Sequence, residues 1–165
     1  MKDSPIDCQF VQADQSHLDY LTQATIQLHL FESENDSAKL QVNDDFSEKV
    51  REWIKLEIDN PASLIFIIHD ASTTLGFAFL KILPSQNEFT QYQSFGLIQS
   101  IWIEPEFRKQ DLGRKTVDLI ESIFIEQAIP YYEVNYSTMN QSAKTFWEKC
   151  GMTSVAVTAR KFLSD

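Results

Sequence analysis

Glycine is scarce in this chain, and its scarcity removes two common nucleotide-binding motifs. The 165 residues contain only four glycines. A dinucleotide-binding fingerprint needs three glycines within six positions, but Gly113 is the only glycine between Gly96 and Gly151. A Walker-type phosphate loop needs a glycine where Arg108 stands and a lysine where Arg114 stands. Any phosphate site in this chain must therefore be built in another way.

Long apolar runs, cysteine pairs and metal-ligand clusters are missing as well. No apolar run approaches the ~20 residues that span a bilayer, and the N-terminal sequence MKDSPIDCQF lacks the apolar core of a secretory signal. Cys8 and Cys150 have no partner at metal-ligand spacing, and the three histidines form no ligand pattern with them or with one another. We therefore expect no membrane association, no metal ion and a reduced, cytoplasmic environment.

Positive charge is also in short supply. The net charge is −10, which argues against non-specific binding to nucleic acid. Residues 1–70 carry 14 acidic and 5 basic side chains, a balance of −9, whereas residues 71–165 have a balance of −1. Two interpretations of the acidic half stay open. It forms a wall that attracts a cationic amine to a site nearby, or its charges lie on solvated helix faces.

The pattern that is present predicts a single α/β domain over residues 1–165. Its order is βααβββαβαβ, an α+β arrangement with a mixed, mostly antiparallel sheet and helices on both faces. Hydrophobic periodicity predicts four helices, which begin after residue 16, near residue 44, at residue 112 and at residue 142. Polar loops are predicted at residues 31–43 and 84–95, and strands at residues 7–13, 63–70, 76–83, 97–103, 131–137 and 154–162.

The stretch from Ile101 to Arg114, IWIEPEFRKQDLGR, is the most informative part of the sequence. An apolar strand leads through a basic turn into an amphipathic helix. The first N–H groups of a helix have no intrahelical partner, and the helix dipole favours negative charge there. Four cations surround the turn: Arg108, Lys109, Arg114 and Lys115. The pattern predicts a site for phosphate or pyrophosphate, and the alternative is a solvated basic turn.

A second segment, Asn140 to Met152, reads NQSAKTFWEKCGM and follows the basic turn at a set distance. Together the two segments resemble the GNAT acetyltransferase superfamily over roughly Gly96 to Met152. The superfamily turn usually reads Arg/Gln-x-x-Gly-x-Gly/Ala, and here the six matching residues are RKQDLG, from Arg108 to Gly113. The preceding proline and acidic residue match as well.

This resemblance implies an acetyl-CoA-dependent N-acetyltransferase that acts on a primary amine of a small molecule or peptide. It implies that the pyrophosphate is held mostly by backbone N–H groups of the turn, and the pantetheine by the backbone of the preceding strand. Asn140 and Trp147 would line the exit, although Asn140 is equally suited to cap a helix and Trp147 to fill the core. The implied residues are Ile101, Trp102, Ile103, Arg108, Lys109, Gln110, Asp111, Leu112, Gly113, Arg114, Asn140 and Trp147.

Two residues depart from the superfamily pattern. Asp111 stands where the first glycine of the turn is expected; aspartate tolerates a left-handed backbone better than most residues, but its charge opposes a pyrophosphate. Trp147 stands where many members carry a tyrosine that protonates the leaving thiolate, and indole cannot donate that proton.

No strong candidate for the base that deprotonates the amine appears in the sequence. The candidates are Glu88 in a predicted loop and Tyr136 on a predicted strand, and the alternative is that both are ordinary surface or sheet residues. Two other functions therefore stay open: a CoA-binding module without turnover that acts as a sensor or interaction domain, and a structural domain that binds no CoA. The last predicted strand and the aromatic loop are candidates for a homodimer surface.

Overall fold

The computed structural model describes residues 8–37 and 39–163, and within these it contains four α-helices, five strands and two short 3-10 turns. The strands are β1 (Gln9–Gln12), β2 (Ser63–Asp70), β3 (Thr73–Pro84), β4 (Ser94–Ile103) and β5 (Tyr132–Val134). The helices are α1 (Leu18–Asn35), α2 (Phe46–Ile58), α3 (Leu112–Glu126) and α4 (Gln141–Lys149). The 3-10 turns span Gln15–His17 and Pro105–Phe107.

The strands form one sheet in the order β1-β2-β3-β4-β5. All neighbours are antiparallel except β4 and β5, which are parallel. The β3–β4 ladder contains a bulge, because Phe79 pairs with Ser100 while Leu80 pairs with Ile98, which leaves Gln99 as the extra residue. A bulge bends its strand and increases the local twist, so β4 changes direction near its middle.

Each face of the sheet carries its own hydrophobic core. Helices α1 and α2 cover one face, where Leu21 and Ile54 pack against strand residues that include Phe77. Helices α3 and α4 cover the other face, where Ile120 and Trp147 pack against the opposite side of the same strands. The fold class predicted from the sequence is confirmed, since alternate strand residues point to opposite faces and both faces are buried under helices.

Several element boundaries agree with the sequence prediction. Strand β2 occupies the predicted residues 63–70, and it pairs with β3 as an antiparallel hairpin. Helix α2 ends at Ile58, shortly before Asn60-Pro61, and α3 begins at Leu112 as expected. The predicted first strand shortens to β1 (Gln9–Gln12), and Asp7, with which the prediction began, lies outside the described residues.

Helix α1 is longer than the sequence predicted, because it continues to Asn35 through the first part of the predicted loop at residues 31–43. The segment FESEN contains no glycine or proline to end the helix. Phe31 also gains a contact with Trp102 of β4, with ring centroids 6.3 Å apart. Polarity alone was therefore a poor sign of a loop here.

The predicted last strand at residues 154–162 is wrong. In the part of the chain that the structure describes, no strand follows α4, and residues 152–162 are irregular. The alternation of Val155, Val157 and Ala159 is typical of a strand, but a strand also needs a neighbouring strand to pair with its backbone. None of the described strands takes that place.

A buried carboxylate joins α2 to the hairpin of β2 and β3. Glu57 accepts hydrogen bonds from Trp53 Nε1 at 3.1 Å, Asn60 Nδ2 at 3.1 Å and Lys81 Nζ at 2.7 Å, and a further one from the hydroxyl of Ser63. Burial raises the pKa of this carboxyl, but the hydrogen bonds and the charge of Lys81 outweigh burial, so its pKa is lowered from the ordinary 4.5. The carboxylate is therefore ionised and fully paired at neutral pH.

We predict that Glu57→Ala lowers the free energy of unfolding by about 3 kcal/mol at neutral pH, because the partly buried Lys81 and the other donors to Glu57 then lose their partner. Urea denaturation measures this, and Glu148→Ala, which removes the exposed Lys144–Glu148 pair, is the control with an expected loss below about 0.5 kcal/mol.

Since the folded-state pKa of Glu57 is lowered, its stabilisation is present above pH 4.5 and is lost as the pH falls below that value. A difference between wild type and Glu57→Ala that stays constant down to about pH 3 would contradict this assignment.

Candidate functional site

Strands β4 and β5 separate halfway along the sheet. Their pairing covers three residue pairs and ends at Ile98↔Val134, whereas β4 continues beside β3 to Ile103. In the described part of the chain, the outer edge of residues 99–103 therefore has no strand partner. Backbone N–H and C=O groups on such an edge can bind a ligand that lies along the strand.

The turn after β4 presents a row of backbone donors at the start of α3. Among the described residues, the N–H groups of residues 109–114 make no backbone hydrogen bond, and the first helical one runs from Lys115 N to Asp111 O at 3.1 Å. Lys109 and Asp111 both have left-handed backbone angles, with φ of 64° and 60°. A left-handed residue followed by a helical one turns successive N–H groups into a concave anion site, and the helix dipole adds to it.

Asp111 adopts the conformation that a glycine in its place would adopt without strain. It precedes α3 with φ of 60° and ψ of 9°, and its side chain makes no capping hydrogen bond. The left-handed angle of Lys109 had no signal in the sequence, since lysine rarely takes it. Asp111 also lines the cavity beside the turn, so its negative charge opposes a second one there.

A cavity of about 820 Å³ opens beside this turn. Helix α1, strand β4, the turn, α3 and the end of α4 each contribute to its wall. The lining residues are Leu28, Phe31, Ile101, Trp102, Ile103, Arg108, Lys109, Asp111, Leu112, Gly113, Arg114, Phe146, Lys149 and Cys150. The structure thus brings together nine of the twelve residues that the resemblance implied, together with Phe146.

Three implied residues lie elsewhere. Asn140 caps α4, where its Oδ1 accepts the N–H of Ala143 at 2.9 Å. Trp147 is buried in the core beneath α3, and the side-chain amide of Gln110 contacts the carbonyl of Glu106 at 3.4 Å. A role for these three in ligand binding stays a prediction.

The two candidate bases are not part of the cavity wall. Glu88 is exposed in the loop between β3 and β4. The hydroxyl of Tyr136 lies 2.9 Å from the hydroxyl of Ser154. Neither side chain is among the lining residues, so a catalytic role for either stays a prediction.

Arg108 fastens the turn to α1 and β4. Its guanidinium carbon lies 4.4 Å from the ring centroid of Trp102 and 4.8 Å from that of Phe31, and its Nε donates to the carbonyl of Ile103 at 2.8 Å. A guanidinium over the face of an aromatic ring is attracted to it. The side chain of Arg108 therefore shapes the cavity wall, and the row of unpaired N–H groups begins only at Lys109.

Helix α4 closes the other side of the cavity. A Cβ at Gly113 would lie 3.2 Å from the ring of Phe146, so glycine allows α4 to approach the start of α3. Arg114 donates a hydrogen bond to Asp118 of the same helix at 2.9 Å and another to the carbonyl of Lys149 at 3.2 Å. The second hydrogen bond joins the start of α3 to the end of α4. Burial raises the pKa of the Cys150 thiol, so this lining residue stays protonated and offers no nucleophile at neutral pH.

Helix α1 contributes two lining residues that were not among the predicted site residues. Leu28 and Phe31 line the cavity, but Phe31 fell in a predicted loop and its position beside Trp102 depends on the packing of α1. A second missed contact joins Tyr20 of α1 to Glu104, which follows β4, at 2.8 Å. Burial and this hydrogen bond raise the pKa of Tyr20, so its hydroxyl stays a donor throughout the physiological range.

Trp102 leaves one buried donor unused. Among the described residues, its Nε1 is one of four buried side-chain polar atoms without a hydrogen-bond partner. A buried unpaired donor costs about 1–3 kcal/mol, and this one belongs to a residue of the cavity wall.

The described residues contain neither a metal-binding cluster nor a membrane-spanning helix. Among them, no group of three or more His, Cys, Asp or Glu side chains is arranged to hold a metal ion. None of the described helices has the length and apolar character needed to cross a bilayer.

Known proteins similar to this chain belong to a family of acetyltransferases. The model of the family described as "Acetyltransferase (GNAT) family" matches residues 27–152. The match covers well over half of the chain, so this chain belongs to the GNAT acetyltransferase family. It also extends the resemblance of the C-terminal half back into α1. No curated protein sequence matches the chain significantly.

Solved structures show the same fold at low sequence identity. A mutant of a protein from Bacillus halodurans superimposes with a TM-score of 0.81 at 14% identity, covering 94% of this chain and 99% of that one. A predicted acetyltransferase with acetyl-CoA from Clostridium acetobutylicum has a TM-score of 0.74 at 14% identity, covering 94% and 96%. An aminoglycoside 6'-N-acetyltransferase from Acinetobacter baumannii has a TM-score of 0.68 at 13% identity, covering 95% and 99%.

We predict that Arg108→Ala lowers the free energy of unfolding by about 2 kcal/mol, because it removes two ring contacts and a hydrogen bond to Ile103. Arg108→Lys should recover less than half of this loss, since an ammonium group lacks the planar fork of guanidinium. Chemical denaturation measures both variants. Gln110→Ala, an exposed neighbour, is the control with an expected change within about 0.5 kcal/mol. Full recovery by lysine would show that charge alone matters at this position.

Proposed function

We propose that this protein is an acetyl-CoA-dependent N-acetyltransferase that acetylates a primary amine of a small molecule or peptide. The observation that carries the proposal is the row of unpaired N–H groups at residues 109–114, at the wall of an 820 Å³ cavity. Membership of the GNAT family supports the reaction class. Within the described residues no disulfide joins Cys8 to Cys150, which is consistent with the cytoplasmic location that forms part of the proposal.

The turn fits the pyrophosphate of CoA. A diphosphate accepts several N–H donors at once, and the start of a helix of 15 residues supplies both donors and a favourable dipole. Lys109 adds positive charge at the cavity wall. The carboxylate of Asp111 is the one feature that opposes binding, so this turn should bind more weakly than one with glycine in that place.

The outer edge of β4 fits an extended pantetheine chain. The unpartnered backbone of residues 99–103 can form hydrogen bonds along the arm, as an added strand would. When bound, acetyl-CoA would supply the acetyl group as a thioester. An N–H group of this strand edge is then the donor that polarises the carbonyl, and the walls from α1 and α4 hold the reacting groups in register.

The cavity wall offers no base suited to deprotonate an amine. Of the residues that line it, the only carboxylate is Asp111, and no histidine is among them. A lysine-like amine has a pKa near ~10.4, so only a small fraction of it is deprotonated at neutral pH. In the proposed mechanism the protein binds this free-base fraction directly from solution. Positioning then supplies most of the acceleration.

The proposed acceptor is a cationic amine. The excess of acidic residues in residues 1–70 belongs to the half of the chain that supplies α1 and α2, and negative potential raises the encounter rate with cations. Among the structural neighbours are two aminoglycoside acetyltransferases, one of which was solved with CoA. Their substrates are polycationic, so such amines belong in the first panel.

A second candidate function is a CoA-binding module without turnover. The charge of Asp111 and the indole at Trp147, which lies in the core rather than at the cavity, favour it. Binding of CoA without transfer to any amine of a broad panel would support this module over the enzyme.

Thermal unfolding with acetyl-CoA, CoA and ATP side by side is the first test. At ~100 times the dissociation constant, binding adds ~2.7 kcal/mol, which is a shift of roughly 5–10 °C for a chain of this size. A shift with both CoA species and none with ATP supports the proposal. Transfer of radiolabel from acetyl-CoA to an amine then distinguishes the enzyme from the module, and absence of any shift at millimolar ligand contradicts both.

We predict that Asp111→Gly tightens CoA binding by about tenfold, or about 1.4 kcal/mol, because it removes a like charge and relieves a left-handed backbone. Isothermal titration calorimetry measures the dissociation constant. Asp111→Asn is the matched variant, since asparagine tolerates the left-handed angle and carries no charge. If asparagine gives the whole gain, charge is the handicap; if neither variant changes the affinity, the turn is not the CoA site.

We also predict that kcat/KM for an amine with a pKa near ~10.4 rises about tenfold per pH unit between about pH 6 and pH 9, because the amine must lose its proton without a base in the cavity. Steady-state kinetics across this range test it. Glu104→Gln should leave the slope unchanged, since Glu104 is not among the lining residues. A plateau near pH 7 would reveal a base that the cavity wall does not show.

A further inference from the structure

One part of the sheet face on the side of α1 and α2 is open beside the cleft between β4 and β5. Tyr132 and Val134 of β5 pack into the core beneath α3 and α4, so Glu133 and, directly before the strand, Tyr131 point to the opposite face. Both side chains are exposed. Among the described residues, neither of the two belongs to the core beneath α1 and α2. This area of the sheet is therefore accessible to a ligand.

Three aromatic rings form one end of the open area. The ring of Tyr131 stacks on that of Phe95, with centroids 5.7 Å apart and an interplanar angle of 8°. Tyr92, from the loop between β3 and β4, meets Tyr131 edge to face at 5.6 Å. Tyr131 is 37% exposed and Tyr92 is 43% exposed. Exposed tyrosine rings attract cations, because the face of an aromatic ring carries negative charge density.

A carboxylate lies next to these rings. Glu133 follows Tyr131 by two residues on the same face, which is roughly 7 Å along the strand. Among the described residues, Glu133 has no ion-pair partner. In the same row across the sheet, Lys81 pairs with Leu97 and Leu97 with Glu133, but the ammonium of Lys81 bonds to Glu57 at 2.7 Å. The negative charge of Glu133 is therefore available to a cation from solution.

Glu133 lies at the closed end of the cleft that is proposed to hold the thioester. It pairs with Leu97, and the next pair, Ile98↔Val134, is the last before the strands separate. The open edge of β4 begins at residue 99, roughly 7 Å from Leu97 along the strand. On the side of α3, Ile98 and Val134 belong to the core, so that side of the closed end is filled. An amine therefore reaches the thioester from the face that carries Glu133 and the rings.

We propose that the acceptor is a diamine or a longer polyamine, and that Glu133 and the rings of Tyr131 and Tyr92 bind its second ammonium group while the first amine faces the thioester. The proposal rests on the proposed acetyl transfer and adds the acceptor class to it. A carboxylate beside ring faces favours a cation over a neutral aromatic group, because a neutral group would leave Glu133 without a partner.

The second ammonium group takes no part in the transfer. The reacting amine enters as the free base, and its nitrogen forms a bond to the acetyl carbon. The bond from that carbon to the sulfur of CoA breaks, and the proton that the nitrogen loses goes to the leaving sulfur. The ammonium at Glu133 keeps its proton throughout, so Glu133 contributes to acceptor binding alone.

Isothermal titration calorimetry at saturating CoA compares diaminobutane with butylamine, which has the same carbon chain and a single ammonium group. We expect the diamine to bind about tenfold more tightly, a difference of about 1.4 kcal/mol, because only the diamine has a second cation for Glu133 and the rings. Equal affinity of the two amines would overturn the proposal, and so would the absence of diaminobutane binding at millimolar concentration.

Four variants assign the preference to this area. Glu133→Gln should remove the preference for the diamine, and Tyr131→Leu should weaken diamine binding about threefold. Tyr131→Phe keeps a ring face and should bind as the wild type does. Glu126→Gln is the matched control, because it removes an exposed carboxylate at the end of α3, on the other side of the sheet. Circular dichroism and thermal unfolding confirm that each variant is folded, and binding of butylamine should be the same in all of them.

Steady-state acetylation separates this binding role from that of a base. Glu133→Gln should raise KM for diaminobutane about tenfold and leave kcat and the pH dependence unchanged, and Glu133→Asp should recover part of the loss. A fall in kcat together with a changed pH dependence would identify Glu133 as a proton acceptor and would overturn the proposal.

Failure of this proposal is distinct from failure of the proposed function. Acetyl transfer to diaminobutane and butylamine with equal kcat/KM would overturn the second-ammonium site and leave the acetyltransferase activity standing. Diamine binding that depends on Glu133, without transfer to any amine, would support the site and contradict the proposed transfer.

Discussion

The cavity depends on the unequal lengths over which β4 pairs with its two neighbouring strands, β3 and β5. It pairs with β3 from Ser94 to Ile103, but with β5 over only three residues. The bulge at Gln99 lies where the parallel pairing stops, so the twist that it adds turns β4 away from β5. The separation exposes a backbone edge, and the same strand then delivers the chain to the turn before α3. One change of pairing therefore creates both the groove and the anion site at its end.

The turn shows how such a site is kept without the expected glycine. Lys109 and Asp111 hold left-handed angles that cost of order 1–3 kcal/mol each when the residue is not glycine. On one side of the turn the guanidinium of Arg108 lies over the rings of Phe31 and Trp102, and on the other side α3 begins at once. Packing around the turn therefore compensates for local strain, and strain of this kind concentrates at functional sites.

The sequence predicted well wherever a local signal agreed with its surroundings. Strand β2, the hairpin and the start of α3 followed from apolar runs and turn residues. The prediction failed where a helix or strand depends on contacts with residues far away in the sequence, because polarity and alternation do not reveal those contacts. Phe31 belongs to α1 because its ring meets Trp102, and residues 154–162 form no strand because no described strand lies beside them. Partners distant in sequence leave no mark on local periodicity.

The sequence by itself determined the alternation of elements, the two apolar faces of the sheet and the basic turn ahead of α3, because each follows from periodicity and composition within a short window. It also located most of the cavity wall through the turn and β4. Only the tertiary structure decided that Arg108 serves the wall with its side chain, that Asn140 caps α4, and that Leu28 and Phe31 complete the cavity. These outcomes depend on how two cores pack against one sheet, and packing joins residues that the chain keeps far apart.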